Sequence, residues 1–308
     1  MSPRHASGLD ALALDEAFDG EVIPREPMAR HTTYRIGGPA RAFARVHSLG
    51  ALNAVLDACA QDGVGWCMVG KGSNLLVADE GTPCAVIVLG RDFRSLEYSQ
   101  DTGTIAVGAG HALSGVVQEA FRRSLGGLEF AVGTPGTVGG ALRMNAGSST
   151  DWIGSRVASV TTLQPGRGLR RYRGSDVAWG YRTSSFLPDE AIVECELMVE
   201  RADPFYIRGK MEAALAKRGK TQPLTSLTCG SVFRNPEGHA AAQLIEACGL
   251  KGLRAGGAQV SPVHANFIVN EGGATASDVM RLITTIQAKV YEEHGIELQP
   301  EVRFLGFA

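Results

Sequence analysis

Glycine placement constrains this chain more than any other feature. Three clusters stand out: Ile36-Gly37-Gly38-Pro39, Gly70-Lys71-Gly72-Ser73-Asn74, and the run VGTPGTVGGALRMNAG from Val132 to Gly147. Glycine supplies 39 of 308 residues, about 13% against a usual level of about 7%. The chain is not of low complexity, so these glycines imply tight turns and places where backbone comes close to a ligand. Successive N–H groups in such loops form concave donors suited to a diphosphate. A glycine run at a helix start aims N–H groups at anionic oxygens in the same way. One cluster alone is usually just a turn; three together point to a large phosphate-bearing ligand.

Neither of two familiar phosphate motifs is present. Gly65 to Gly72 reads GWCMVGKG, one residue away from GxxxxGK[ST]. Gly72 stands where the magnesium-binding hydroxyl is needed, and the four residues between the glycines form an apolar strand. Gly108-Ala109-Gly110 is followed by His-Ala-Leu, so the dinucleotide fingerprint GxGxxG is absent.

Composition narrows the classes further. The net charge of -2 leaves no broad basic field for nucleic acid or anionic lipid. No run of eighteen apolar residues suggests a membrane span, and the opening MSPRHASGLDALALDEAFDG carries acids inside its apolar stretch, a poor secretory signal. The six cysteines (Cys59, Cys67, Cys84, Cys195, Cys229, Cys248) are scattered and form no CxxC pair. Reduced thiols in a cytoplasmic protein are expected, and the histidines show no metal-ligand spacing.

Periodicity places several elements. Ser48 caps a helix from Leu49 to Asp62 with Leu49, Leu52, Val55, Leu56 and Cys59 on one face. Strands are expected at Trp66–Val69, Leu75–Val77, Ala85–Leu89 and Thr104–Val107. A helix near His111–Ser124 follows, its face being Leu113, Val116, Val117, Ala120 and Phe121. Strands at Val157–Leu163 and Ala191–Glu200 precede a helix from Asp203-Pro204 to about Lys217, and a boundary is placed near Ala202. Ala240–Cys248 reads as a short helix. Ala276–His294 reads as a long one, with Thr275 and Asp278 in a capping pattern and Gly295 as its stop. A final strand is expected over Ile296–Leu305. Helices and strands interleave without a repeating βαβ rhythm or internal repeat.

Nine segments, in order, resemble the UDP-N-acetylenolpyruvoylglucosamine reductase family, flavoenzymes of peptidoglycan synthesis. They are HTTYRIGGPA (31–40), VGKGSNLLV (69–77), VGAG (107–110), GTPGTVGGALRMNAG (133–147), GYRTSSF (180–186), CGSVFRNP (229–236), AAQLIEACGLKG (241–252), GGAQVSPVHANFIVN (256–270) and LQPEVRFLG (298–306). The resemblance implies an α+β fold: a two-lobed FAD-binding domain of the vanillyl-alcohol-oxidase (PCMH) type plus a C-terminal α+β substrate-binding domain. The implied division is a flexible leader over 1–20, FAD lobes over 21–91 and 92–201, and a substrate domain over 202–308 whose last strand returns to the active site. The short interval from Phe186 to Ser231 matches the subclass that lacks a substrate-capping tyrosine insertion. Asn145-Ala146-Gly147-Ser148-Ser149 departs from relatives that place an aromatic after the glycine.

The implied activity is NADPH-dependent, FAD-mediated reduction of UDP-N-acetylenolpyruvoylglucosamine to UDP-N-acetylmuramate in the cytoplasm. Non-covalent FAD is the implied cofactor and NADPH the co-substrate. The implied partners are small molecules only, with no nucleic acid, membrane or obligate protein partner. By motif, Ser231 becomes the proton donor, Arg182 the guanidinium on the substrate carboxylate, and Glu301 the accompanying carboxyl group. FAD falls to Tyr34, Arg35, Ile36, Gly37 and Gly38; to Gly70, Lys71, Gly72, Ser73, Asn74 and Leu75; and to Gly133, Thr134, Pro135, Gly136, Val138, Gly139, Gly140, Asn145, Ala146 and Gly147. Tyr181, Lys220, Asn235 and His264 match substrate-side positions, and no metal ligand is expected.

Taken alone, each of these has a plainer role. A serine beside a glycine is most often a turn or strand residue. An isolated arginine is usually solvated, and an isolated glutamate at a strand end is usually a surface acid. Two competing functions share the glycine loops: another flavin oxidase or dehydrogenase on the same scaffold, and a non-catalytic nucleotide-binding module.

Overall fold

Seven helices are spaced along the described residues, 8–148 and 150–307 of the computed structural model. They are α1 (Leu9–Leu12), α2 (Leu49–Asp62), α3 (Leu113–Arg122), α4 (Val138–Arg143), α5 (Pro204–Thr221), α6 (Ala241–Ala247) and α7 (Ala276–His294). The chain divides into two compact units. The first combines residues up to Pro24 with Ala42–Gly70 and Ala85–Ala216. The second combines Arg25–Arg41, Lys71–Cys84 and Lys217–Ala308.

The first unit holds two sheets. One orders the strands Gly20–Pro24, Ala40–Val46, Thr82–Leu89 and Trp66–Met68. The other orders Gly168–Arg173, Val157–Gln164, Ala191–Met198, Thr104–Gly108 and Leu96–Ser99, all antiparallel. The core of this unit is aliphatic. The α2 face, Leu52, Val55, Leu56 and Cys59, is buried as its spacing predicts, and Ser48 Oγ accepts from Ala51 N–H as its cap. Leu49, expected on the same face, is exposed, because it is the first helical residue and precedes the buried stripe.

Residues 1–20 were expected to form a loose leader. Residues 1–7 lie outside the described part; from Leu9 onward the expectation is corrected. Leu9 is buried in the first core, and its N–H donates to Asp62 Oδ2 at 2.9 Å. One large apolar side chain with its backbone satisfied is enough to pin a single helical turn.

The second unit assembles around α7. Val279, Leu282, Ile283, Ile286 and Val290 line its buried face. They pack with Val232, Phe233, Leu244 and Ile245, and with three residues from far upstream, Tyr34, Ile36 and Leu76. Leu75–Val77 pairs in parallel with Arg303–Leu305, and Arg254–Ala255, Ala258–Val260 and Ile268–Asn270 form a small antiparallel sheet. The final strand is shorter than the expected Ile296–Leu305; only Arg303–Leu305 is strand. Pro300, which lacks an N–H to donate to a ladder, makes only an isolated bridge to Phe233.

Candidate active site

The first cluster of expected cofactor residues folds back on its own unit. Thr32 Oγ1 donates to Ile36 O at 2.9 Å and closes the turn. Tyr34 is fully buried; its hydroxyl donates to Ile268 O at 3.0 Å, and Asn270 Nδ2 donates to Tyr34 O at 2.9 Å. Burial pushes its phenol well above the ordinary range. The side chains of Tyr34 and Ile36 are therefore core, and what this segment can offer a ligand is backbone and the exposed Arg35, which has φ 57°. Gly38 is bare because a Cβ would lie 2.1 Å from Asp79 O.

The Lys71–Leu75 loop lies against the same segment. A Cβ on Gly72, at φ +61°, would sit 2.2 Å from His31 O, so this position excludes a side chain twice over. Thr33 N–H donates to Gly72 O at 3.3 Å, and Thr33 Oγ1 donates to Thr228 O at 2.7 Å. Asn74 then reaches the C-terminal segment. Its Nδ2 donates to Glu301 O at 3.2 Å, while its own carbonyl accepts from Arg303 N–H at 3.0 Å.

Ser231 stands where these threads meet. It is half-buried and pairs as an isolated bridge with Phe267. The position of a Cβ on the preceding Gly230 is 3.9 Å from Ser73 O. The following residue, Val232, accepts at its carbonyl from Glu301 N–H at 2.7 Å. Arg234 N–H donates to Gln299 O at 2.9 Å. Ser231, Glu301 and the Ser73-Asn74 turn are thus gathered by backbone contacts within one unit.

Asn266 fixes this arrangement, and no sequence argument had singled it out. Its Oδ1 accepts from Phe233 N–H at 2.9 Å and its Nδ2 donates to Phe233 O at 2.8 Å. Its carbonyl accepts from Val232 N–H at 2.9 Å. A buried amide that uses both ends on one partner residue acts as a clamp. The signal was the position of Asn266 inside HANFIVN, two residues before the strand Ile268–Asn270.

The substrate-side candidates separate. His264 joins the Ser231 neighbourhood: its ring stands edge-on to Phe267 at 4.8 Å, and desolvation holds its pKa below the usual imidazole value. Asn235 Oδ1 accepts from Ala241 N–H at 3.0 Å and so fastens the start of α6. Lys220 is an exposed cation in the last turn of α5. Cys229, next to Gly230, is buried, and burial pushes its thiol up to about 12, so it stays protonated and unreactive.

The first unit gathers the other glycine loops. A Cβ on Gly70 would lie 2.4 Å from Thr137 Oγ1. Thr137, the residue of GTPGTVGG left unassigned from sequence, caps α4 by accepting from Gly140 N–H at 3.3 Å. Gly139 N–H donates to Ala109 O at 2.8 Å and Leu113 N–H to Gly136 O at 3.2 Å. Gly133 and Gly136 have φ 70° and 120°. Gly140 has only Thr137 Oγ1, at 3.5 Å, near the place of a Cβ. A glycine inside a helix costs about 1 kcal/mol relative to alanine. Among the described residues no neighbour demands bareness at Gly140, so the residues present fit a ligand laid against this face.

Arg182 belongs to this unit. It is half-buried at φ 56°, with the exposed Tyr181 ring 5.4 Å from its guanidinium carbon. Its Nη1 donates to Gly147 O at 2.8 Å. Asn145, buried at φ 42°, donates from Nδ2 to Gly180 O at 2.9 Å and accepts at Oδ1 from Gly154 N–H at 3.0 Å. The loop carrying Arg182 therefore rests on the end of the third glycine cluster.

Among the described residues, one trio has ligand atoms close enough for a metal ion. Cys248, Glu293 and His294 bring theirs within 4.8 Å of one another at the ends of α6 and α7. Linear spacing could not reveal it.

Two family models match the chain. An "FAD binding domain" family model matches residues 40–167. A "UDP-N-acetylenolpyruvoylglucosamine reductase, C-terminal domain" model matches residues 222–305. A UDP-N-acetylenolpyruvoylglucosamine reductase of Heliobacterium modesticaldum is 45% identical over 291 residues, covering 94% of this chain and 92% of the relative. The chain belongs to the UDP-N-acetylenolpyruvoylglucosamine reductase family. The Alkalilimnicola ehrlichii reductase is 44% identical, covering 94% of this chain and 96% of its own length. The crystal structure of the Thermus caldophilus reductase aligns with a TM-score of 0.80 at 35% identity, covering 93% of this chain and 98% of that one. Like the rest of the reductase family, the chain is an α+β, FAD-dependent oxidoreductase with NADPH as co-substrate. When bound, FAD supplies a group that accepts and donates hydride.

Proposed function

We propose that the chain reduces UDP-N-acetylenolpyruvoylglucosamine to UDP-N-acetylmuramate, with Ser231 as the proton donor. The observation that supports this best is the placement of Ser231 between the Ser73-Asn74 turn and the Gln299–Glu301 segment. One electron pair enters the terminal carbon of the enolpyruvyl ether as hydride and leaves the adjacent carbon carbanionic, its charge delocalised into the carboxylate. Ser231 then gives its proton to that carbon, and its alkoxide is reprotonated from solvent. A serine is a weak acid; it serves here because the base it meets is strong and held within reach.

Arg182 is the planar, bidentate partner for a carboxylate gaining charge. Glu301 beside an enolate is compatible with catalysis when its carboxyl is protonated or shares a cation. His264, Tyr181, Asn235 and Lys220 are proposed on the substrate side, and the three glycine clusters on FAD. The proposed division of labour gives FAD to lobes over 21–91 and 92–201 and substrate binding to 202 onward, with residues 25–41 and 71–84 packed in the same unit as 217–308. The short interval between Phe186 and Ser231 supports the subclass without the tyrosine insertion. The reading includes a cytoplasmic enzyme working on small molecules, without nucleic acid, membrane or obligate protein partner. The small net charge supports the part of this reading that leaves out nucleic acid; among the described residues no helix is long and apolar enough to cross a membrane.

The test is a two-step colour assay on the flavin-loaded protein. NADPH added without air should bleach the flavin, and the enolpyruvyl sugar nucleotide should then restore the yellow colour. A protein that bleaches but is not recoloured by this substrate is a different flavin dehydrogenase. One that never carries flavin is a binding module.

A further inference from the structure

We infer that Arg143 is a positioning residue for Arg182. Arg143 ends α4, and its guanidinium is directed at backbone. Nη1 donates to Phe186 O and to Leu187 O, both at 2.9 Å. Nη2 donates to Glu190 O at 2.5 Å. The guanidinium carbon also lies 5.7 Å from the centroid of the Phe186 ring. In return, the Arg143 carbonyl accepts from Ser184 Oγ at 2.9 Å.

These contacts fall on the C-terminal side of Arg182. On its N-terminal side, Asn145 Nδ2 holds Gly180 O, and Gly147 O receives Arg182 itself. Residues 143–147 thus grip the loop on both sides of the arginine. Arg182 needs the grip because its φ of 56° is unfavourable for a side chain with a Cβ and persists only where surroundings impose it. The far end of the loop is anchored separately. Glu190 is buried, and its carboxylate accepts from Leu187 N–H at 2.9 Å, from Thr162 Oγ1 at 3.3 Å and from the Tyr172 hydroxyl. The guanidinium meets the three carbonyls from two nitrogens fixed in one plane; an ammonium also has three donors, but all on one atom, and does not reproduce that geometry.

The inference rests on the proposed role of Arg182, so the experiment follows both residues in the flavin-loaded enzyme. Arg143→Met, Arg143→Lys, Arg182→Lys and the double variant Arg143→Met/Arg182→Lys are compared for flavin content, bleaching by NADPH and recolouring by the enolpyruvyl sugar nucleotide. Arg143→Met is expected to keep its flavin and to bleach within about twofold of the parent, but to recolour about 100-fold more slowly. Arg143→Lys should fall between the two, and the double variant should be no slower than Arg182→Lys alone, since both act through one guanidinium. Normal recolouring of Arg143→Met beside a slow Arg182→Lys would overturn the positioning role. So would equal slowing of both steps, or flavin loss in both Arg143 variants, because the arginine would then support the fold generally. Unimpaired recolouring by Arg182→Lys would instead remove the assigned role of Arg182 and this inference with it.

Discussion

The N–H of Glu301 donates to the carbonyl of Val232 at 2.7 Å, so the carboxyl-bearing segment is fastened to the residue that follows Ser231. Asn74 completes the junction by donating to the carbonyl of Glu301. One unit thereby gathers a hydroxyl, a carboxyl group and a glycine-loop turn from positions spread over more than two hundred residues of the chain.

The first prediction concerns that hydroxyl. Ser231→Ala should retain its flavin and bleach with NADPH at the parental rate. Recolouring by the enolpyruvyl substrate should slow by about 10²- to 10⁴-fold, the usual contribution of a positioned acid. Stopped-flow absorbance of the two steps measures this, and parental turnover by the variant would take Ser231 out of the mechanism.

The second sets two left-handed glycines against each other. Gly63, at φ +63°, has nothing within 4 Å of a Cβ, whereas Gly72, at φ +61°, would press a Cβ to 2.2 Å from His31 O. Gly63→Ala should cost about 1 kcal/mol from backbone strain alone. Gly72→Ala adds a clash with backbone and should cost about 3 kcal/mol, with weaker flavin retention. Urea midpoints and flavin content after gel filtration decide it; equal losses at the two sites would contradict the packing described for Gly72.

The third addresses α7. Asp278 accepts from Thr275 N–H at 3.0 Å and Gly257 N–H at 3.4 Å, and it also pairs with Arg281. The Thr275 N–H contact is the leading cause of a carboxyl pKa below the usual range. Asp278→Ala should destabilise the second unit by about 2 kcal/mol. A shift in urea midpoint worth less than about 0.5 kcal/mol would show that the capping box is dispensable.

The fourth is a pH effect. Desolvation lowers the His264 pKa in the folded chain, so the unfolded chain takes up the proton first as pH falls. The stability tied to a neutral His264 is complete above about pH 6.5, its ordinary value. It declines as pH drops from there toward the lower folded value. His264→Gln should flatten the change in urea midpoint between pH 7.5 and pH 5.5. Identical pH slopes for parent and variant would count against a desolvated imidazole.

Local structure was legible wherever a periodic face and its cap lay close together in sequence. Ser48 before α2, and Thr275, Asp278 and Gly295 around α7, act as their residue types suggest. The strand Ala40–Val46 and the edge strand Gly168–Arg173 escaped notice because arginines interrupt their alternation; charged side chains on exposed edge positions are a common device against strand–strand aggregation. Tyr34 was read toward FAD, yet its ring is core. Its partners include Cys229, Ile268 and Asn270, and no local pattern reports a partner that distant. Arg182 and Ser231 were recognisable only through the motifs around them, since neither side chain carries a periodic signal.

The second unit is stitched from residues 25–41, 71–84 and 217–308. During translation, Tyr34, Ile36 and Leu76 leave the ribosome long before α7 exists to receive them. That unit can close only once synthesis is nearly finished, so its early apolar segments wait without their native partners until then. A fragment begun near residue 217 would be born without part of its own interior.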